Sequence, residues 1–132
     1  KGKGDLIDKL IRWWTKGPYS HCEIATSEEV FSSSSKTNGS SIVMITDETV
    51  YSLQDWDMVR IKADPEAIKN WLTQHFGLYD YFGVFGFIIR PIPETRGRTF
   101  CSESIAGSLG YLDPWRYDPN TLYSALKPLT IN

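Results

Sequence analysis

The apolar pattern changes its period twice along the chain, and this narrows the possible architectures more than any single residue does. Leu6, Ile7, Leu10, Ile11, Trp13 and Trp14 recur at helical spacing, with Asp5, Asp8, Lys9 and Arg12 opposite, until Gly17-Pro18 stops the run. Short β-like segments follow at 19–26, 29–34, 41–45 and 56–62, bounded by acidic or Ser/Gly turns in the manner of an antiparallel meander. The spacing then becomes helical again. Asp64-Pro65 opens a helix with Ile68, Trp71, Leu72 and Phe76 on one face and Gly77 as its C-cap. A very apolar helix is expected over 79–89, ended by Pro91 and Pro93, and a basic loop through Arg96 and Arg98 leads into a helix at Phe100–Ala106 that Gly110 closes. Asp118-Pro119 starts one more short helix. Helix, then strands, then helices is the order of an α+β domain with a sheet on one side and helices on the other. A length of 132 residues, 41% of them hydrophobic, fits a single domain spanning 1–132.

Charge excludes two function classes. Asp and Glu number 16 against 14 Lys and Arg, a net −2, which is no electrostatic footprint for nucleic acid and argues equally against a polybasic membrane-surface protein. The charge is unevenly placed: residues 1–16 carry five Lys/Arg and two Asp, a local +3, while 23–66 carry nine acids and three bases, a local −6. The longest apolar run, Phe82 to Ile89, falls far short of the ~20 residues of a membrane span, so no span is expected and the chain reads as soluble. Two cysteines lying 79 positions apart make no disulfide scaffold and suit a reducing compartment. The two His and two Cys lack zinc-site spacing, so neither metal nor cofactor is expected.

The chemistry concentrates at two places. In Tyr19-Ser20-His21-Cys22-Glu23-Ile24, strand alternation puts Tyr19, His21 and Glu23 on one face and Cys22 and Ile24 on the other, so an imidazole and a carboxylate share a face. Cys101 stands where a loop becomes a helix, near unpaired backbone N–H groups and the positive end of the helix dipole. Such surroundings favour the thiolate, and a neighbouring imidazolium favours it further. A cysteine at a helix start facing a strand histidine is a nucleophile-and-base arrangement for acyl transfer, with the Cys101 N–H available to an oxyanion.

Four stretches, in order, resemble the circularly permuted branch of the NlpC/P60 cysteine hydrolases: Tyr19-Ser20-His21-x-Glu23-Ile24, Tyr79-Asp80-Tyr81-x-Gly83-x-x-Gly86-Phe87, Phe100-Cys101-Ser102-Glu103 and Pro119-Asn120-x-Leu122-Tyr123. The likeness is greatest to small bacteriophage and bacterial members. It implies a papain-like antiparallel sheet packed against helices, the His strand preceding the Cys helix, and a cysteine peptidase or amidase that attacks an amide carbonyl through a thioester. The implied partner is a peptide or acyl-amide substrate, with cell-wall peptides the commonest in that superfamily, and the implied setting is host cytoplasm or a virion. A third polar residue orients the imidazole in this family. The corresponding register falls on the serines after Phe31, most nearly Ser33, while Glu23 is the alternative on the same strand face. Side chains at i and i+2 stand about 6–7 Å apart, so Glu23 needs a bend or a water to reach the ring. Tyr19, Asp80 and Tyr81 are implied pocket residues, a tyrosine hydroxyl being a possible second oxyanion donor. Two other readings stand beside the peptidase: a lipid acyltransferase or esterase akin to lecithin-retinol acyltransferase, whose Cys box differs from Phe100-Cys101-Ser102-Glu103, and an interaction module that kept the fold and lost turnover.

The remaining chemistry-bearing residues have plainer expectations. Cys22 faces the core and is inert. His75 lies near a helix C-terminus, where an imidazolium suits the dipole. Glu103 is either a solvated acid or a brace for the Cys helix. Arg96 and Arg98 sit in a solvated loop, and Gly83 and Gly86 allow close helix packing.

Overall fold

A computed structural model describes residues 6–34, 39–44, 55–75, 78–79 and 98–131. Helix α1, Leu6–Thr15, follows the apolar stripe, buries Ile11 and ends in a turn where Lys16 takes a positive φ ahead of Gly17-Pro18. Three antiparallel strands come next: β1 (Ile24–Ala25), β2 (Glu29–Ser34) and β3 (Gly39–Met44), in that spatial order. The register sets Ile24 opposite Phe31 and Phe31 opposite Ile42. One row of apolar side chains therefore crosses one face of the sheet, since directly opposed residues share a face. Helix α2, Pro65–Gln74, lays Ile68 and Leu72 on that row, and Trp71 joins them.

Helix α3, Cys101–Ser108, contributes Ile105 and Ala106 to a second cluster, with Leu122 from helix α4, Pro119–Leu126. Cys22, Ile24 and Leu109 pack against that cluster, joining it to the sheet. The architecture is thus α+β, with a small three-stranded antiparallel sheet and helices over its apolar face. Gly107 permits the close approach of α2 to α3: a Cβ there would lie 2.4 Å from the Trp71 indole. Gly110 closes α3 at φ +77, a conformation costly to any other residue type, and donates to the Gly107 carbonyl.

The structure revises several expected elements. The segment expected as a strand over 19–26 is regular only at Ile24–Ala25, because both backbone groups of Tyr19 are taken by the Asn120 side chain. Residues 56–62 form no strand, and the Arg60 carbonyl accepts instead from Ile131 N–H. Helix α2 ends at Gln74 with His75 as its cap; the expected Gly77 cap and Phe76 lie outside the described residues. Tyr79, expected to begin a helix, belongs with Leu78 to a two-residue strand β4 that pairs in parallel with β5, Arg98–Thr99. Arg98 accordingly sits in a strand bridge rather than a loop. The rest of the expected 79–89 helix, with Asp80, Tyr81, Gly83 and Gly86, lies outside the described residues, as do Pro91, Pro93 and Arg96. Among the described residues no helix is long and apolar enough to cross a membrane.

Candidate active site

His21 and Cys101 come from segments 80 positions apart and meet where the stretch preceding β1 crosses the start of α3. Two local devices bring them together. The Asn120 side chain accepts from Tyr19 N–H at 2.9 Å, donates to the Tyr19 carbonyl at 2.8 Å and donates to Thr15 Oγ1 at 2.7 Å. One amide, held in the first turn of α4, thus clamps the turn after α1 and the chain two residues before His21. Gly17 makes room for it, since a Cβ there would stand 2.1 Å from Asn120 Oδ1. The second device is the start of α3. Phe100 precedes it in extended conformation and offers no side-chain cap, while the Glu103 carboxylate turns back to accept from Phe100 N–H at 3.3 Å. Glu103 is 4% exposed, so the helix start is braced from within rather than by a solvated acid. The Cys101 N–H, in the first turn of the helix, has no intrahelical acceptor.

The imidazole of His21 interacts on the one hand with the Cys101 sulfur, which favours its protonated form. On the other, Nε2 lies 3.2 Å from Ser32 Oγ and 3.4 Å from Glu23 Oε1. Burial acts to lower the pKa of His21, but the Cys101 sulfur and the Glu23 carboxylate outweigh it and hold the imidazole up to about 10. Cys101 moves the other way. A hydrogen bond from Cys22 is the largest cause, burial opposes it, and the His21 imidazolium adds to it, so the thiol is held well below its ordinary range. Both directions favour the thiolate and the imidazolium, the state in which a cysteine is nucleophilic.

Both proposed orienting groups have their positions set by the sheet. Glu23 does reach the ring, because 21–23 is irregular rather than flat strand and the two side chains converge beyond the backbone spacing. Ser33 does not. It shares the Phe31 face, is fully buried and stands opposite Ser40, and it is Ser32, one residue earlier and on the other face, that meets the imidazole. The β1–β2 register explains the choice, since continuing the Ile24–Phe31 pairing by one residue sets Glu23 opposite Ser32. Tyr19 donates its hydroxyl to Asp57 and packs its ring 4.6 Å from that of Tyr123. Burial and the Asp57 bond both raise its pKa, so Tyr19 stays a neutral donor. Asp80 and Tyr81 lie outside the described residues.

Three residues at the site escaped the sequence reading: Ser32, which meets the ring, Trp56 and Asn120. Trp56 sets its ring edge-on to His21 with centroids 6.1 Å apart, and only its place between Asp55 and Asp57 marks it in the sequence. Asn120 was visible as part of a motif, without a role. Cys22 packs on Ile105, Ala106 and Leu122, on the core side where alternation puts it. The second histidine is elsewhere: His75 caps α2, accepts or donates at Nδ1 with the Trp71 carbonyl at 2.7 Å and stacks on the Trp71 ring at 3.9 Å, a structural post.

A cavity of about 520 Å³ reaches His21. His21, Cys22 and Glu23 line it together with apolar walls that include Ile68, Leu122 and Leu126. Cys101 is not among the lining residues and is 3% exposed. Among the described residues no group of three or more His, Cys, Asp or Glu converges as a metal ion requires. Compared with known protein families, curated proteins and solved structures, the chain matches none of them.

Proposed function

We propose that this protein is a cysteine hydrolase of papain-like, permuted topology that cleaves an acyl bond through a thioester on Cys101. The observation that carries the reading is the half-buried contact of the His21 imidazole with the Glu23 carboxylate and the Ser32 hydroxyl, together with the opposed shifts of His21 and Cys101. The Cys101 thiolate attacks the substrate carbonyl, and the Cys101 N–H at the start of α3 stabilises the oxyanion. His21, protonated by virtue of the ion pair, gives its proton to the departing amine or alkoxide. Left neutral, it takes a proton from water, which hydrolyses the thioester. Glu23 and Ser32 keep the ring in the orientation that both steps need. The motif resemblance favours an amide of a bacterial cell-wall peptide as substrate.

The apolar cavity beside His21 favours a second substrate reading, an ester or amide of an aliphatic acyl group, whose chain its walls suit better than a polar peptide. Incubating the protein with muropeptides and, in parallel, with acyl esters of increasing chain length separates the two. Turnover of either that is lost in Cys101→Ala and in His21→Ala supports the hydrolase. No turnover of any acyl donor, together with slow alkylation of Cys101, would leave a binding module that has only the shape of the enzyme.

A further inference from the structure

We infer that the outward face of α1 is a docking surface for an anionic lipid bilayer, with the helix lying in the plane of the headgroups. A helix that packs on a globular core turns its apolar stripe inward. In α1 the stripe turns outward instead: Leu6 is 81% exposed, Trp13 71% and Trp14 39%, while Ile11 is buried. At 3.6 residues per turn, Leu6, Leu10, Trp13 and Trp14 fall on one side of the helix and Arg12 and Thr15 on the other. Those two polar residues tie the helix to the body. Thr15 Oγ1 accepts from the Asn120 amide at 2.7 Å, and the Arg12 guanidinium donates to Ser20 Oγ at 3.3 Å. The Trp13 and Trp14 rings stand 6.1 Å apart, a broad indole patch facing solvent.

Charge identifies the occupant. Lys9 flanks the apolar face and is exposed, as is Lys16 in the turn that follows, whereas Asp8 is half-buried on the opposite side. Residues 1–16 carry five Lys/Arg against two Asp in a chain whose net charge is −2. The acids gather in 23–66, so the whole-chain balance conceals a basic segment. Tryptophan settles at the level of lipid headgroups, and a lysine stem lies along apolar surface while its ammonium meets phosphate. An apolar face of this kind edged by lysines suits the boundary between headgroup and acyl chain of an anionic bilayer. A two-fold contact with a second copy would set the same lysine-edged patch against itself, which like charge disfavours. A ten-residue helix is about 15 Å long, half the hydrocarbon thickness, so it lies on the bilayer and does not cross it. Docking of this kind does not depend on turnover at Cys101.

The test is flotation of the full chain with vesicles of equal parts phosphatidylglycerol and phosphatidylcholine, against vesicles of phosphatidylcholine alone, at low and high salt. The wild type should float with the anionic vesicles, stay behind with the neutral ones, and lose binding as salt rises. Lys9→Gln and Lys16→Gln should each lower the partition coefficient about fivefold. The double change Leu6→Gln with Trp13→Gln should lower it about tenfold or more. Both side chains are exposed, so the double variant should melt with the wild type, and its melting curve checks this. Leu112→Gln, at an equally exposed apolar residue outside α1, should bind as the wild type does. Failure of the wild type to float with anionic vesicles overturns the inference, and so does binding that neither salt nor the lysine changes move. An equal loss in Leu112→Gln takes the site away from α1. A dimer in sedimentation that the double change abolishes, without flotation, makes a second copy the occupant and overturns the bilayer.

Discussion

Two helices of this protein begin alike and a third begins differently. Helices α2 and α4 open with Asp-Pro, and the aspartate caps them: Asp64 accepts from Glu66 N–H at 3.0 Å, and Asp118 accepts from Asn120 and Thr121 N–H at 2.8 and 3.1 Å. Helix α3 opens with Phe100-Cys101 and has no side-chain cap bond. Its acid stands three residues in and bonds backward to Phe100. A carboxylate at the capping position would take up N–H groups of the first turn and set a negative charge near the Cys101 sulfur, opposing the thiolate. Leaving that end open withholds a cap from α3 and keeps donors and dipole for sulfur and oxyanion. Local stability and chemistry ask for different residues at the same kind of position.

The comparison can be broken most severely at the sulfur and its base. Cys101→Ala should abolish turnover, and His21→Ala should lower kcat by roughly 10²–10⁴-fold, read as initial rates on whichever acyl substrate is cleaved. Next in size is the pH profile. Protonation of the leaving group needs the imidazolium, which persists up to about 10, and attack needs the thiolate, which persists well below the ordinary thiol range. The rate should therefore rise at acid pH as Cys101 ionises and fall only near pH 10 as His21 loses its proton. A falling limb near 6.5 would mean that the ion pair does not form.

Smaller effects separate the two kinds of helix start. Glu103→Ala leaves a buried Phe100 N–H without its acceptor and should cost about 1–3 kcal/mol in denaturant unfolding, with a matching loss of activity because the brace of the Cys helix goes with it. Asp64→Ala should cost about 1 kcal/mol, a fall of roughly 3–5 °C in Tm, with kcat/KM unchanged. Equal effects of the two changes on activity would erase the distinction between a capped and a braced start.

The Asp-Pro starts of α2 and α4, the Gly110 stop and the change of apolar period were legible in the sequence, since each depends on neighbours within a turn or two. So was the pairing of His21 with Cys101 as a candidate, through residue type and the resemblance. Which serine meets the ring was not, because Ser32 and Ser33 differ only in the face they take, and that follows from the β1–β2 register. The departure of 19–23 from regular strand was equally hidden, since its cause, Asn120, lies about a hundred positions away.

What the chain determined by itself is an α+β order of elements, a histidine ahead of a cysteine, and a helix start left uncapped at that cysteine; these are matters of local spacing and residue chemistry. The folded structure alone decided that Glu23 bends back to the imidazole and that Ser32 joins it. Those contacts depend on the backbone path of 21–23, set by Asn120 about a hundred positions away, and on the β1–β2 register, neither of which a short-range pattern encodes.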